Sequence, residues 1–185
     1  MQLTSILTLI ALALLTNCAT AASPAKNKSN SPSLGSVSDA TPVRDLVFAQ
    51  RTKVLLKADW HPVNGSPLAR NGKNPACIVI HGGGWYKGDK TDMESISRRL
   101  ARRGIPSLNI NYRLAPEFRF PSPVLDTKDA IRWVKANSQA LGVDPARICM
   151  FGYSAGAHLA LMSGFTRPKD GLDDTTPPTA RIFRF

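Results

Sequence analysis

A serine held between two glycines, Gly152-Tyr153-Ser154-Ala155-Gly156, is the arrangement in this sequence whose chemistry is most directly readable. An apolar strand-like run, Arg147 to Phe151, leads into it, and a helix-like run, Ala155 to Gly164, leads out. A turn of that kind forces its central residue into strained dihedrals and lifts the hydroxyl above the carboxyl end of a sheet. Glycines on either side remove Cβ atoms that would strike the neighbouring strand and helix. Ser154 is therefore the candidate nucleophile, with Gly152 and Gly156 in support, and the positive end of the following helix favours an oxyanion nearby.

A second constellation, His81-Gly82-Gly83-Gly84-Trp85, follows the apolar run Ala76 to Ile80. Successive glycines let backbone N–H groups turn into a cavity without side-chain obstruction, which is what stabilising a tetrahedral oxyanion demands. Gly83, Gly84 and Ala155 are the expected donors. His81 is read as holding the loop through hydrogen bonds rather than as a base, with Gly82 as packing support and Trp85 as a pocket wall. A phosphate-binding loop is the competing reading, and neither G-x-G-x-x-G nor G-x-x-x-x-G-K-[ST] fits.

The elements that must position these residues alternate between strand and helix. Leu46 to Gln50, Thr52 to Trp60, Ala76 to Ile80, Ile105 to Tyr112 and Arg147 to Phe151 read as strands, the last as a buried one. A helix is expected from Asp92 to Arg103, with Met93, Ile96 and Leu100 as its apolar stripe and Gly104 as its cap. Another is expected from an N-cap at Ser122 to near Gly142, and a third from Ala155 to Gly164. The order implies an α/β sandwich with a mostly parallel sheet.

With both constellations in place, the chain resembles the α/β-hydrolase superfamily. Within it, the resemblance is to the carboxylesterase and lipase branch related to hormone-sensitive lipase, which includes secreted acetyl and feruloyl esterases. It extends over about Leu55 to Phe165 and includes Leu56 to Pro62, Asn111-Tyr112-Arg113-Leu114-Ala115-Pro116-Glu117, and Phe120-Pro121 through Asp126 with Trp133. Ala157 departs mildly from relatives that carry a further glycine. The resemblance implies ester hydrolysis through an acyl-enzyme, with Ser154 attacking and an acid and then a histidine following later in the chain.

Here the pattern breaks. His158 is the only histidine after Ser154, and the resemblance places it beneath the elbow, directed away from the face where a catalytic histidine would dock. Asp170, Asp173 and Asp174 fall too early for the triad acid and are expected to be solvated, ahead of a strand from Ala180 to Phe185. The expectation is thus the N-terminal part of a C-terminally truncated hydrolase, with a nucleophile and oxyanion hole but no credible triad Asp or His, and little activity alone. A non-catalytic ligand-binding protein of the same fold is the alternative, and a basic surface-binding module a third.

Composition narrows the classes. The 185 residues are 43% hydrophobic and 20% charged, with a formal charge of +11, which excludes a disordered chain and a polytopic membrane protein. Cys18, Cys77 and Cys149 form no zinc-like spacing, so no metal or other cofactor is expected, and Cys77 and Cys149 read as buried free thiols on neighbouring strands. Arg98, Arg99, Arg102 and Arg103 read as a solvated helix face rather than a nucleic-acid site. Residues 1–22 carry no charged side chain and read as a signal peptide, or as a lipoprotein signal anchoring the chain to a membrane through Cys18. Residues 23–42, with six serines and three prolines, read as a flexible linker, and 43–185 as the hydrolase part of an exported protein. Its expected partner is a small-molecule or polysaccharide-linked ester; oligomeric state is not readable.

Overall fold

Five strands form one sheet in the computed structural model, which describes residues 40–51 and 53–173. They are β1 (Val43–Arg51), β2 (Val54–His61), β3 (Asn74–Ile80), β4 (Ser107–Ile110) and β5 (Val143–Gly152), ordered β1-β2-β4-β3-β5. β3 runs parallel to both of its neighbours, whereas β2 is antiparallel to β1 and to β4. The helices are α1 (Glu94–Ala101), α2 (Ser122–Ala136) and α3 (Ala155–Phe165).

The twofold alternation of β3 explains the layering. Ala76, Ile78 and Ile80 enter the main core with Leu108 and Ile110 of β4, Val124 and Val134 of α2, and Leu159 of α3. Cys77 and Val79 face the other way, onto Met93 with Ile96, Leu100 and Ile105. One helical layer therefore lies on each side of β3, as an α/β sandwich requires, and the short β3 can be apolar throughout because both of its faces are buried.

The helix expected from Asp92 begins instead as a 3-10 turn, Lys90–Met93. Asp89 caps it, its carboxylate accepting from Thr91 N–H at 2.8 Å while Asp92 accepts from Asp89 N–H at 3.0 Å. α1 stops at Ala101, and Gly104 at φ 75° lets Ile105 N–H reach back to the Leu100 carbonyl at 3.0 Å. Arg98, Arg99, Arg102 and Arg103 are exposed.

Two expectations about α2 are corrected. Pro121, not Ser122, occupies the cap position, and it makes no side-chain capping bond. The helix ends at Ala136 rather than near Gly142, because the side chain and backbone N–H of Asn137 both close onto the Trp133 carbonyl at 2.9 and 3.0 Å.

β5 is less buried than its composition suggests. Among the described residues it pairs with β3 alone, and the face bearing Cys149 and Phe151 is exposed. Cys77 and Cys149 are register partners and both are free, but only Cys77 is buried. Asp173 is not simply solvated: it accepts from Lys128 at 2.8 Å. Asp170 accepts from Arg167 N–H at 2.7 Å. Asp174, the strand expected over 180–185 and the signal segment lie outside the described residues.

One buried ion pair ties the segment after β4 to α2. Asp126, fully buried, accepts from the Arg113 backbone N–H at 2.8 Å and from its guanidinium at 2.7 Å. Burial pushes the Asp126 carboxyl up, and the bonds from Arg113 oppose that shift. Removing one partner leaves an uncompensated buried charge, so Asp126→Ala is expected to lose about 3–5 kcal/mol in urea unfolding. The double variant Arg113→Met/Asp126→Leu is expected to lose less than either single change, and an equal or larger loss would count against this account.

Candidate active site

At the junction of β5 and α3 the chain turns so sharply that Ser154 takes φ 52°, ψ −118°. A non-glycine residue in that region stores about 1–3 kcal/mol of strain, tolerated where surrounding structure over-determines it. The bonds that do so come from the turn itself and from the end of β3. Tyr153 N–H donates to the Ile80 carbonyl at 3.4 Å, Gly156 N–H to that of Tyr153 at 2.9 Å, and Ala157 and His158 N–H to that of Ser154 at 3.0 and 3.2 Å. A Cβ on Gly152 would strike the Gly156 carbonyl, and one on Gly156 would strike the carbonyls of Ile80 and His81. α3 thus begins in backbone contact with the end of β3.

The glycine loop lies against this turn. A Cβ on Gly82 would come within 2.9 Å of the Tyr153 carbonyl and 3.4 Å of Ser154 Cβ. Gly83 and Gly84 adopt φ 106° and 62°, and Trp85 also takes a positive φ of 65°. Gly83 closes the loop by accepting from Tyr86 and Lys87 N–H at 3.3 and 3.2 Å. Among the described residues, the N–H groups of Gly83, Gly84 and Ala155 donate to no backbone carbonyl. Ala155 opens α3, where an N–H has no acceptor within the helix. Three donors from two segments thus have no backbone acceptor among the described residues, and the two segments meet where Gly82 lies against Ser154.

His81 is buried under the loop. Its Nδ1 lies 2.7 Å from the Gly82 carbonyl, which can only accept, so Nδ1 carries the proton. Its ring stacks on Tyr112 at 4.3 Å between centroids, and the Tyr112 hydroxyl reaches the carbonyls of His81 and Gly82, both at 3.2 Å. Burial lowers the His81 pKa and pushes Tyr112 up to about 12. Both rings are therefore neutral near pH 7 and serve as fixed hydrogen-bonding walls.

Tyr112, Gly88, Asn111 and Ala115 belong to this support, although motif reading alone gave them no role. A Cβ on Gly88 would crowd His81 Nδ1 and the Gly82 carbonyl. Asn111 accepts from Lys90 N–H at 2.6 Å and donates to Asp89 at 2.7 Å, and Ala115 N–H donates to the Trp85 carbonyl at 2.8 Å. For Asn111, Tyr112 and Ala115 the available signal was their grouping in one segment, Asn111 to Glu117; Gly88 lies outside it.

The expected position of His158 is corrected. It is exposed rather than packed beneath the elbow, with its ring edge-on to Trp85 at 5.2 Å. Trp85 and His158 share the wall of an open cavity of about 320 Å³ with Phe118, Arg119 and Phe120. No hydrogen bond joins His158 to the Ser154 hydroxyl, which has no hydrogen-bond partner among the described residues. The His81, Gly83, Gly84, Trp85 and Ser154 segments are thus brought to one end of the sheet. Asp170 and Asp173 are engaged with Arg167 and Lys128.

A model of the BD-FAE family matches residues 66–181. The chain belongs to the BD-FAE family. Over 93 residues it is 40% identical to Esterase LipC of Mycobacterium tuberculosis, covering 50% of this chain and 23% of that protein. It is 34% identical over 123 residues to Carboxylesterase NlhH of the same species, covering 65% and 36% respectively. Among solved structures, the hyperthermophilic esterase from Pyrobaculum calidifontis superposes with a TM-score of 0.62 at 29% identity, over 73% of this chain and 41% of that one. Bacterial Heroin Esterase does so with 0.60 at 30% identity, over 74% and 41%. The fold is the α/β-hydrolase fold of these esterases, and the chain spans less than half the length of each of these relatives.

Two predictions arise from this geometry. Gly156→Ala forces a Cβ into fixed backbone and is expected to cost about 2–3 kcal/mol in urea unfolding, whereas Gly142→Ala meets no atom within 4 Å and costs only its positive-φ strain. His61 and His81 are both buried with lowered pKa values, so folding disfavours their protonation. Their contribution is complete above the ordinary value of 6.5 and is lost as pH falls below it toward the folded values. Denaturation between pH 8 and 5 should show that loss, with a shallower slope in His81→Gln.

Proposed function

We propose that the chain carries the nucleophile and oxyanion hole of a serine carboxylic-ester hydrolase. The observation that carries this reading is the strained Ser154 set against a glycine loop whose N–H groups have no internal acceptor. Ser154 Oγ attacks the ester carbonyl and gives up its proton to a base. The carbonyl oxygen becomes an oxyanion, met by the N–H groups of Gly83, Gly84 and Ala155. Collapse expels the alcohol with a proton and leaves an acyl-serine, which water then hydrolyses. The BD-FAE family and the named esterases support an ester as substrate, and polysaccharide-linked acetyl or aromatic acyl esters are within the proposal.

Among the described residues no histidine or carboxylate is bonded to Ser154, so turnover by these residues alone is expected to be slow. The free Ser154 hydroxyl equally favours a second reading, a ligand-binding protein that keeps the pocket without the reaction. Export through residues 1–22 belongs to the same proposal, with a diacylglyceryl anchor on Cys18 as its variant form. Intact mass of the chain recovered from its host separates cleavage after residue 21 or 22 from lipidated Cys18 and from an uncleaved chain.

Release of nitrophenol from 4-nitrophenyl acetate tests the reaction. The expected result is a slow rate above buffer that falls to background in Ser154→Ala. Equal rates in the two proteins would support the binding-protein reading.

A further inference from the structure

The cavity beside the elbow has a charge character that ester hydrolysis by itself does not require. Its walls come from four segments: Trp85 of the glycine loop, Ala115 and Phe118 to Phe120 after β4, Pro123 and Val124 of α2, and His158 with Leu159 of α3. At about 320 Å³ it exceeds the apolar cavity of about 150 Å³ that accommodates a benzene ring. Trp85 and Phe120 remain 40% and 64% exposed, so flat apolar faces are presented to whatever enters. Arg119 lines the same cavity, is exposed, and forms no ion pair among the described residues. No carboxylate lines the cavity, although Glu117 is close by in sequence. An uncompensated guanidinium beside aromatic rings is suited to a planar apolar group that ends in an anion.

We propose that this cavity is a subsite for an aryl or arylalkyl carboxylate, with Arg119 as its specificity-determining residue and Trp85 as its apolar wall. Resting on the esterase reading of the adjoining serine, this makes the preferred substrate an ester whose cavity-bound part is aromatic and carries a second, free acidic group. The aromatic part lies against Trp85 and Phe118, and the free carboxylate accepts from the Arg119 guanidinium. Ser154 is not part of the cavity wall. Trp85 adjoins the oxyanion-loop glycines and His158 lies one turn into α3, so the subsite sits beside the reacting carbonyl rather than beneath it.

Binding tests this without turnover. The probes are 3-phenylpropionate and its neutral counterpart 3-phenylpropanamide, titrated calorimetrically into the full chain at low salt. The carboxylate is expected to bind about three- to five-fold more tightly, the range of one exposed ion pair. Arg119→Gln should abolish the preference, Arg119→Lys should retain part of it, and Trp85→Ala should weaken both probes. Arg102→Gln removes the same charge from a remote exposed position and should leave the preference intact, which separates Arg119 from the general attraction of a chain of formal charge +11. A preference that survives Arg119→Gln, one lost equally in Arg102→Gln, or no binding of either probe would overturn the proposal. Failure of the esterase reading looks different: the binding pattern persists while Ser154→Ala leaves nitrophenyl acetate hydrolysis unchanged.

Discussion

The arrangement depends on the backbone of α3 meeting the backbone of β3 with no side chain between them. Gly156 rests on the carbonyls of Ile80 and His81, and Gly152 on that of Gly156. Only hydrogen fits at either position. Because the helix starts this close to the strand ends, the chain between them must turn abruptly. The strain of that turn falls on Ser154, whose hydroxyl is thereby raised beyond the sheet. The same contact brings the first free N–H of α3, that of Ala155, to the end of β3 where the glycine loop begins.

The loop in turn has no regular structure of its own to hold it, and most of its fixing comes from one segment after β4. Asn111 binds the far end at Asp89 and Lys90, Tyr112 stacks on His81 and caps two loop carbonyls, and Ala115 bonds the Trp85 carbonyl. Arg113 anchors that segment to Asp126 of α2. A chain of contacts therefore runs from a buried ion pair to the loop's backbone. Such coupling would suit the proposed oxyanion hole, where donors must already be aimed before charge develops.

Much of this was legible in the sequence because it rests on local rules. Glycines at Gly152, Gly156 and Gly82 to Gly84 mark close approaches and positive dihedrals, and the apolar alternation of β3 marks a strand with a layer on each side. What was not legible depends on neighbours distant in the chain. Tyr112 is 30 residues from the carbonyl of Gly82 that it binds, and nothing in its type announces that pairing. Cys149 is exposed on a strand that, among the described residues, pairs with β3 alone, which the residues of β5 do not announce. The resemblance places His158 beneath the elbow, yet its ring lies nearly perpendicular to that of Trp85 in the cavity wall. The start of α2 was misplaced by one residue because a Ser-Pro pair satisfies the N-cap pattern, while the structure places Pro121 at the cap.

The central claim is the proposal that Ser154 is poised for acyl transfer, with no base bonded to it among the described residues. Peptide mapping after treatment with diethyl 4-nitrophenyl phosphate, in the presence and absence of added imidazole, tests this most directly. The account predicts a single diethylphosphoryl adduct on the peptide containing Ser154, formed faster as imidazole supplies a base, and absent from Ser154→Ala. Labelling spread over surface lysines and tyrosines, or no adduct at Ser154 at any imidazole concentration, would contradict it.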